Sequence, residues 1–466
     1  MSRGEPTETL RGQGDAKARP KAVVVGVQLP GVDDQSFESS LAELERLAST
    51  LGLAPIARIT QARSGLATSA VVGEGKLREI AEWTGGTGVV PTSAIRKVQK
   101  KDRDASGGDD DDEGEGGLEP LPPSEARATI VLVDHDLSPS QARNLERATG
   151  AEVLDRTSVI LSIFQRHART REARLQVEIA RLNYLAPRLR ETGGGDRQRG
   201  GIGGKGAGES SSELDRRRIR DRMAELRTEL ASIQKESDVR RARRVSSGDT
   251  VALVGYTNAG KSSWFRVLTG GDVYVADQLF ATLDTTVRAL QPETRPRILV
   301  SDTVGFIKRL PHDLVASFRS TLEEARDASL LVHVVDASDP AFRDQLQVTR
   351  EVLGEIHADQ AESLLVLNKI DRVDGPTREA LALEYPDAMA VSARSTEDLA
   401  RVRDRIIAHF ERDMGEAELF VPYAKGALVH RIHESARVLE ERHDDEGTHL
   451  RVRAPGPVIA KLRAQI

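Results

Sequence analysis

Residues 255–262 read Gly-Tyr-Thr-Asn-Ala-Gly-Lys-Ser, a spacing suited to wrapping a chain of phosphates. Glycines at 255 and 260 let backbone N–H groups curl around phosphate oxygens at the positive end of a following helix. Lys261 reaches the outer phosphates and the Ser262 hydroxyl ligates magnesium, while Tyr256, Thr257, Asn258, Ala259 and Ser263 complete the cradle. Alone, the loop specifies a nucleotide phosphate and leaves the base open. A glycine-rich strand–helix turn can carry the same letters.

Two later segments narrow the ligand. Arg297-Ile-Leu-Val-Ser-Asp302 is an apolar run ending in an acid, followed by Thr303, Val304 and Gly305. Such an acid holds the magnesium shell through water, and the Gly305 N–H can approach a terminal phosphate. Leu364-Leu-Val-Leu leads into Asn368, Lys369, Ile370 and Asp371. The Asp371 carboxylate can accept both the N1–H and the 2-amino group of guanine, whereas adenine has neither donor there. Asn368 braces the loops, and the Lys369 stem lies along the base. Ala388-Met-Ala-Val runs into Ser392, Ala393 and Arg394, where a backbone N–H can donate to the guanine oxygen. An ATP-driven RNA remodeller fits the phosphate loop but conflicts with Asp371.

These motifs need strands whose carboxyl ends meet, the usual ligand crevice of an α/β sheet. Val251–Val254 reads as a buried strand entering the phosphate loop and Ser263–Leu268 as the helix leaving it. An earlier region alternates in the same way: strand 22–27, helix 37–51, strand 56–60, helix 76–83, a short strand 88–91 and strand 129–134. Ser138 is expected to cap a helix ending at Gly150, and Glu152–Leu154 closes a small, mostly parallel sheet. Gly73-Glu-Gly-Lys76 resembles a phosphate loop without the full pattern, and is read as a plain turn.

The chain has 466 residues, enough for two to four domains, with 38% hydrophobic but only 3% aromatic residues, so aliphatic packing must dominate. The absence of cysteine excludes disulfides and thiolate metal sites and fits the cytoplasm. Residues 1–21 are polar with no apolar signal segment, and no apolar run is long enough to span a bilayer. The net charge of −6 resides entirely in Lys100–Glu119, where nine acids face three basic residues. That glycine-rich stretch is read as a disordered insertion; an acidic metal-binding loop is the alternative.

Leu175, Ile179, Leu182, Ala186 and Leu189, and then Ile219, Met223, Leu226, Leu230 and Ile233, step by three and four. Paired seams of this kind predict a long antiparallel helical hairpin. Nine of the sixteen residues from Gly193 to Gly208 in its connecting loop are glycine, with Arg188, Arg190, Arg197, Arg199 and Lys205 in or beside it. A flexible basic tip suits insertion among RNA phosphates, and a disordered connection is the plainer alternative. Glu213–Arg244 carries eleven basic and seven acidic residues, which reads either as a solvated face or as a binding face. Beyond Phe420 the letters read helix, strand, helix, with Thr448–Arg453 the strand; histidines 430, 433, 443 and 449 read as surface residues rather than a zinc site.

Together these segments resemble the HflX family of translational GTPases along nearly the whole chain. The resemblance is carried by Leu154-Asp-Arg-Thr157, His167-Ala-Arg-Thr-Arg-Glu172, Leu175-Gln-Val-Glu178 through Leu182-Asn-Tyr-Leu185, and Asp215-Arg-Arg-Arg218. In the nucleotide region it rests on residues 255–262, Phe280-Ala-Thr-Leu-Asp284, Asp302-Thr-Val-Gly-Phe306 and Asn368–Asp371. It implies an α/β protein in four parts. After a disordered tail (1–21) come a small N-terminal α/β domain (22–157, with the acidic insertion at about 100–127) and a hairpin (158–245, with its loop at 191–212). A Ras-like GTPase domain with a mixed, mostly parallel sheet (246–414) and a small C-terminal α/β domain (415–466) follow.

The same resemblance implies a cytoplasmic monomer that binds the large ribosomal subunit through the hairpin and N-terminal domain, and that splits or rescues stalled ribosomes or serves their biogenesis. A nucleotide-switched module acting on a protein partner is the alternative. Lys261, Thr282 and Gly305 become the catalytic set, and Phe280, Ala281, Thr282, Leu283 and Asp284 join the nucleotide contacts. Thr282 joins Ser262 as a magnesium ligand, although Thr285 and Thr286 stand nearby. Phe306 stands where Ras-type enzymes carry a water-orienting glutamine, which implies slow intrinsic hydrolysis. Asn258 resembles the asparagine of potassium-activated GTPases. The family's hairpin loop carries Gly-Pro-Gly-Glu; this chain has Gly206-Ala-Gly-Glu209, losing the proline.

Overall fold

The computed structural model describes residues 19–90, 127–192, 211–247, 249–271, 279–280, 282–283, 285–308 and 319–466. The hairpin tip, the residues between 91 and 126, and the nucleotide candidates Ala281 and Asp284 lie outside them. The chain divides into two compact units, Met1–Val159 and Ile160–Ile466.

The first unit is a four-stranded parallel sheet with helices. In chain order it contains β1 (Lys21–Gln28), α1 (Asp34–Thr50), β2 (Ala54–Ala62), α2 (Glu74–Thr84), β3 (Ile130–Val133), α3 (Pro139–Thr149) and β4 (Glu152–Asp155). The spatial order is β2-β1-β3-β4. Its central strands are apolar runs buried on both faces, as a parallel sheet covered by helices requires. Ser138 caps α3 in a reciprocal capping box with Gln141, and Gly150 closes it in the left-handed region at φ +68°. β1 already begins at Lys21, inside the expected tail. Two local expectations need correction. Residues 88–90 form no strand, because Gly88 turns the chain at φ +67°. Gly73 is not in a plain turn but caps α2, its N–H donating to Gln61 Oε1 at 2.9 Å.

α4 (Arg156–His167) carries the chain across the boundary between the units, and three residues separate it from α5 (Arg171–Thr192). α5 pairs with α6 (Ser211–Ser247) in antiparallel register: Arg171 meets Glu229 at 2.7 Å and Glu178 meets Arg222 at 3.1 Å. Leu175, Ile179 and Leu226 form the buried seam, flanked by Leu182, Leu230 and Ile233. Leucines and isoleucines fill the contact, while exposed ion pairs of this type contribute only about 0–1 kcal/mol each.

The largest sheet follows. It contains β5 (Asp249–Val254), β6 (Thr286–Ala289), β7 (Ile298–Asp302), β8 (Leu330–Asp336), β9 (Glu362–Asn368) and β10 (Met389–Ala390), in the order β10-β9-β8-β5-β7-β6. Only β6 runs antiparallel. Its helices are α7 (Lys261–Thr269), α8 (Arg319–Arg326), α9 (Phe342–Glu355), α10 (Gly375–Glu384) and α11 (Thr396–Glu411). Trp264, Phe265 and Leu268 of α7 pack into the core with Val251, Leu253 and Val300. At about 1.5–3 kcal/mol for each large apolar side chain, this packing fixes the helix whose first residue is Lys261.

The tail departs from the expected helix–strand–helix. It contains β11 (Met414–Pro422), α12 (Ala427–Ser435), β12 (Arg437–His443), β13 (Gly447–Pro455) and α13 (Gly456–Arg463), with an antiparallel sheet in the order β11-β13-β12. Phe420 therefore lies in a strand. Ala417, Leu419 and Val421 are buried between exposed Glu416 and Glu418, which is period two rather than helical spacing. β12 is an exposed edge strand whose polar letters hide it. His433 and His443 both face Glu441, and His449 pairs with Asp444; among the described residues no group of three or more acids, histidines or cysteines could hold a metal.

Candidate functional site

β5 lies where the sheet order turns back, with β7 on one side and β8 on the other, so its carboxyl end opens into a crevice. Gly255 leaves it at φ +150°, and a Cβ there would fall 2.2 Å from the Val334 carbonyl oxygen. Gly260, at φ +103°, has no room for a side chain beside Asn368 Nδ2. The loop is therefore closed against its neighbours by backbone alone. Lys261 is buried, and its Nζ donates to the carbonyls of Gly255 (3.1 Å) and Tyr256 (2.8 Å). Burial pulls this ammonium down to about 8, against the attraction of Asp302.

Three oxygens converge beside it. Ser262 Oγ lies 2.7 Å from Thr282 Oγ1, and both hydroxyls donate to Asp302 Oδ2, at 2.8 and 2.9 Å. Asp302 is buried at the end of β7, and its other oxygen, Oδ1, has no protein partner. Burial pushes its pKa up, opposed by Lys261 and the two hydroxyls. One carboxylate and two hydroxyls, with an acceptor left over in a buried place, fit a hard cation that completes its shell with water and phosphate. A soft, all-protein metal cage does not fit.

Gly305 follows β7 closely. A Cβ there would come within 2.8 Å of Thr257 Cα and Cγ2 and 3.0 Å of Lys261 Nζ, so its bare backbone faces the crevice. Thr303 Oγ1 ties this turn to the Leu253 carbonyl at 2.7 Å, and Val304 is buried beneath it. The Phe306 carbonyl accepts from Thr257 N–H at 2.8 Å, and Phe306 N–H donates to Gly255 O at 3.2 Å. The Phe306 ring itself is buried. Thr257 Oγ1 is a second buried atom here with no partner.

Asn368 spans two loops: its Nδ2 donates to the Ala259 carbonyl at 2.8 Å, and its Oδ1 accepts from Ala393 N–H at 3.3 Å. Lys369, left-handed at φ +58°, donates to Asn258 O (2.9 Å) and to Asp336 (2.6 Å). Ile370 N–H reaches the Val391 carbonyl at 3.3 Å. Asp371 stands exposed, its carboxyl held below the usual range chiefly by a hydrogen bond from the Ser392 side chain. Arg394 lies 4.0 Å from it, exposed. Asn258 is exposed at φ +60°, and Ser263 follows Ser262 in the first turn of α7. Phe280, Thr282 and Leu283 are described; the Phe280 and Leu283 side chains are buried.

Several participants escaped the sequence reading. Asp336, which holds Lys369, ends the apolar strand β8, a position that was available as a signal. Asp398, which accepts from Ser392 N–H at 2.9 Å, could have been found from the cap Ser395-Thr-Glu-Asp398. Tyr256 was named for the phosphate cradle, but its hydroxyl, which accepts from Lys308 N–H at 2.6 Å, had no such signal.

Comparison with known proteins bears on the whole chain. Residues 38–101 and 117–165 match the family described as GTP-binding GTPase N-terminal. Residues 167–244 match the GTP-binding GTPase middle region, and residues 250–369 the 50S ribosome-binding GTPase family. The GTPase HflX of Gluconacetobacter diazotrophicus is 58% identical over 448 residues, covering 96% of this chain and 98% of that protein. The GTPase HflX of Escherichia coli (strain K12) is 37% identical over 443 residues, 94% of each chain. A solved GTP-binding protein from Sulfolobus solfataricus in complex with GDP is 23% identical, with a TM-score of 0.42, covering 83% of this chain and 97% of that one. Among the described residues no helix is long and apolar enough to cross a membrane.

Proposed function

The chain belongs to the HflX family of GTPases and is a GTP hydrolase, and on that footing we propose that its GTP-bound form binds the large ribosomal subunit, which in turn accelerates hydrolysis. The observation that carries the second half is Phe306. It occupies the water-orienting position after Gly305, yet its ring is buried and cannot hydrogen-bond water. The crevice thus has donors for phosphate and cation but no side chain from this loop to place the attacking water. Intrinsic hydrolysis is slow, and a partner completes the site.

The chain's own residues divide the remaining work. Backbone N–H groups of Gly260, Lys261 and Ser262 and the Lys261 ammonium cradle the phosphates, at the amino end of α7. Ser262, Thr282 and Asp302 would hold magnesium, Asp302 through water; when bound, this ion neutralises charge on the outer phosphates. Gly305 N–H meets the terminal phosphoryl group, so its loop distinguishes GTP from GDP. Asp371 selects guanine, Asn368 and Lys369 brace its loop against Asn258 and Ala259, and Ala393 N–H exchanges its long bond to Asn368 for the guanine oxygen. Asn258 is the residue that would hold a potassium ion, so hydrolysis is expected to be faster in potassium than in sodium.

Ribosome binding is supported by the family description matched at residues 250–369 and by the basic, glycine-rich segment 193–208 between α5 and α6. Co-sedimentation with large subunits in the presence of a non-hydrolysable GTP analogue tests it. Binding that weakens when residues 193–208 are deleted supports an RNA contact through the hairpin. Failure to co-sediment contradicts the proposal, and unchanged affinity in the deletion variant favours a protein partner.

A further inference from the structure

The segment that carries Thr282 is held from outside the nucleotide sheet. Phe280, two residues earlier, sits at φ +57°, a backbone conformation that bulky residues keep only where their surroundings over-determine it. Its ring is buried and meets the ring of Phe164 edge to face, with centroids 4.6 Å apart and planes at 75°. Phe164 is fully buried on α4, among Ile160, Leu161 and Ile163 of the same helix. One turn on, the His167 ring is half-buried, and burial pulls its pKa down.

α4 is in turn closely joined to the hairpin. Ala168 N–H continues the helix onto Phe164 O at 2.9 Å, and Thr170 caps α5 by accepting from Ala173 N–H at 3.1 Å. Arg174 Nε, inside α5, reaches back to the Ala168 carbonyl at 3.2 Å. The connection is therefore short and hydrogen-bonded at both ends, so a shift of α5 is carried to Phe164.

We propose that Phe164 is a positioning residue for GTP hydrolysis: its ring holds Phe280 so that the Thr282 hydroxyl, two residues on, stays with Ser262 and Asp302, and it makes that placement depend on the base of the hairpin. The proposal rests on the reading of Thr282 as a magnesium ligand.

The test compares wild type with Phe164→Ala, Phe164→Leu and Thr282→Ala, using full-length protein without ribosomes. The magnesium concentration for half-maximal hydrolysis, kcat, and the ratio of GTP-analogue to GDP affinity are measured. Phe164→Ala is expected to raise the magnesium requirement and lower kcat by about three- to tenfold, with GDP affinity changed less than about twofold. Phe164→Leu, which keeps an apolar contact but loses the edge-to-face ring pair, gives a smaller shift in the same direction. A purely structural role would weaken GTP and GDP binding together and leave the magnesium requirement alone.

Should Phe164→Ala not fold, the milder Phe164→Leu decides the matter. Unchanged magnesium dependence and affinity ratio in the folded variants overturn the proposal if Thr282→Ala itself shifts them. A Thr282→Ala protein that behaves like wild type instead removes the magnesium-ligand reading, and the proposal falls with it.

Discussion

The two α/β sheets of this chain both end in buried charge, and they treat it oppositely. At the carboxyl ends of β3 and β4 every carboxylate oxygen of Asp134 and Asp155 has a protein donor. Asp134 accepts from Arg156 (2.7 Å) and Ser40 (2.6 Å), and Asp155 from the N–H groups of Ser158 (2.8 Å) and Leu137 (3.2 Å). Arg156 also pairs with buried Glu43. At the carboxyl end of β7, Asp302 accepts two hydroxyls on one oxygen and nothing from the protein on the other. Thr257 Oγ1 nearby is likewise left without a partner. A buried carboxylate becomes a candidate cation site where the protein stops short of satisfying it. The N-terminal cluster pairs both oxygens of each of these two carboxylates, and so reads as structure.

Exchanging one carboxylate from each cluster should break this contrast most sharply. Asp302→Asn is expected to lower kcat/KM for GTP by on the order of 10²–10³-fold while leaving the protein folded. Asp134→Asn leaves Arg156 less well paired in a buried place and should cost about 3–5 kcal/mol in thermal unfolding, with the nucleotide affinity of the folded protein unchanged. Circular dichroism melts and nucleotide titrations on both variants check this. The reverse pattern would mean that the N-terminal cluster is the site.

A smaller effect is expected at the base. Asp371→Asn removes the double acceptor for guanine and should reduce the preference for GTP over ATP by about a hundredfold or more, read by competition binding. Next, Gly305→Ala places a Cβ 2.8 Å from the Thr257 backbone. It should weaken binding of a GTP analogue by about 1–3 kcal/mol and that of GDP by much less. Equal losses for both nucleotides would show that this loop does not read the terminal phosphate.

The smallest effect concerns protons. Burial pulls the Lys261 ammonium down to about 8, outweighing the pull of Asp302. Phosphate favours the ammonium, so nucleotide binding takes up a proton above about pH 8, and affinity falls by up to about tenfold per pH unit there. The folding linkage has the opposite slope. The folded pKa lies below the ordinary value of 10.5, so the unfolded chain binds more protons between about 8 and 10.5, and stability contributed by this group rises with pH across that window. Calorimetry in buffers of different ionisation enthalpy measures the uptake; pH-independent affinity above 8 would contradict it.

What was legible in the sequence was local. The phosphate loop, Asp302–Gly305 and Asn368–Asp371 each lie within eight residues at a strand end, where the letters themselves dictate backbone approach. Ser138 announced its cap for the same reason, and the structure adds the Gln141 side chain to it. Partners far apart in sequence left no trace. Ser40 and Asp134 are separated by 94 residues, and Arg156 and Glu43 by 113. Phe164 was not singled out in the sequence, and Phe280 was named only as a nucleotide contact. In the tail, the edge strand Arg437–His443 is so polar that neither period shows, and β11 hid its alternation behind an expected helix. Burial, not propensity, decides such segments.

The proposal that the chain is gated by the ribosome stands on a crevice complete for binding and incomplete for positioning water. Single-turnover hydrolysis of bound GTP, with and without purified large ribosomal subunits, measures it directly. The expected result is a slow intrinsic rate that rises at least about tenfold with large subunits and not with small subunits, with a reduced gain when residues 193–208 are deleted. A fast rate without ribosomes, or one that large subunits leave unchanged, would contradict it.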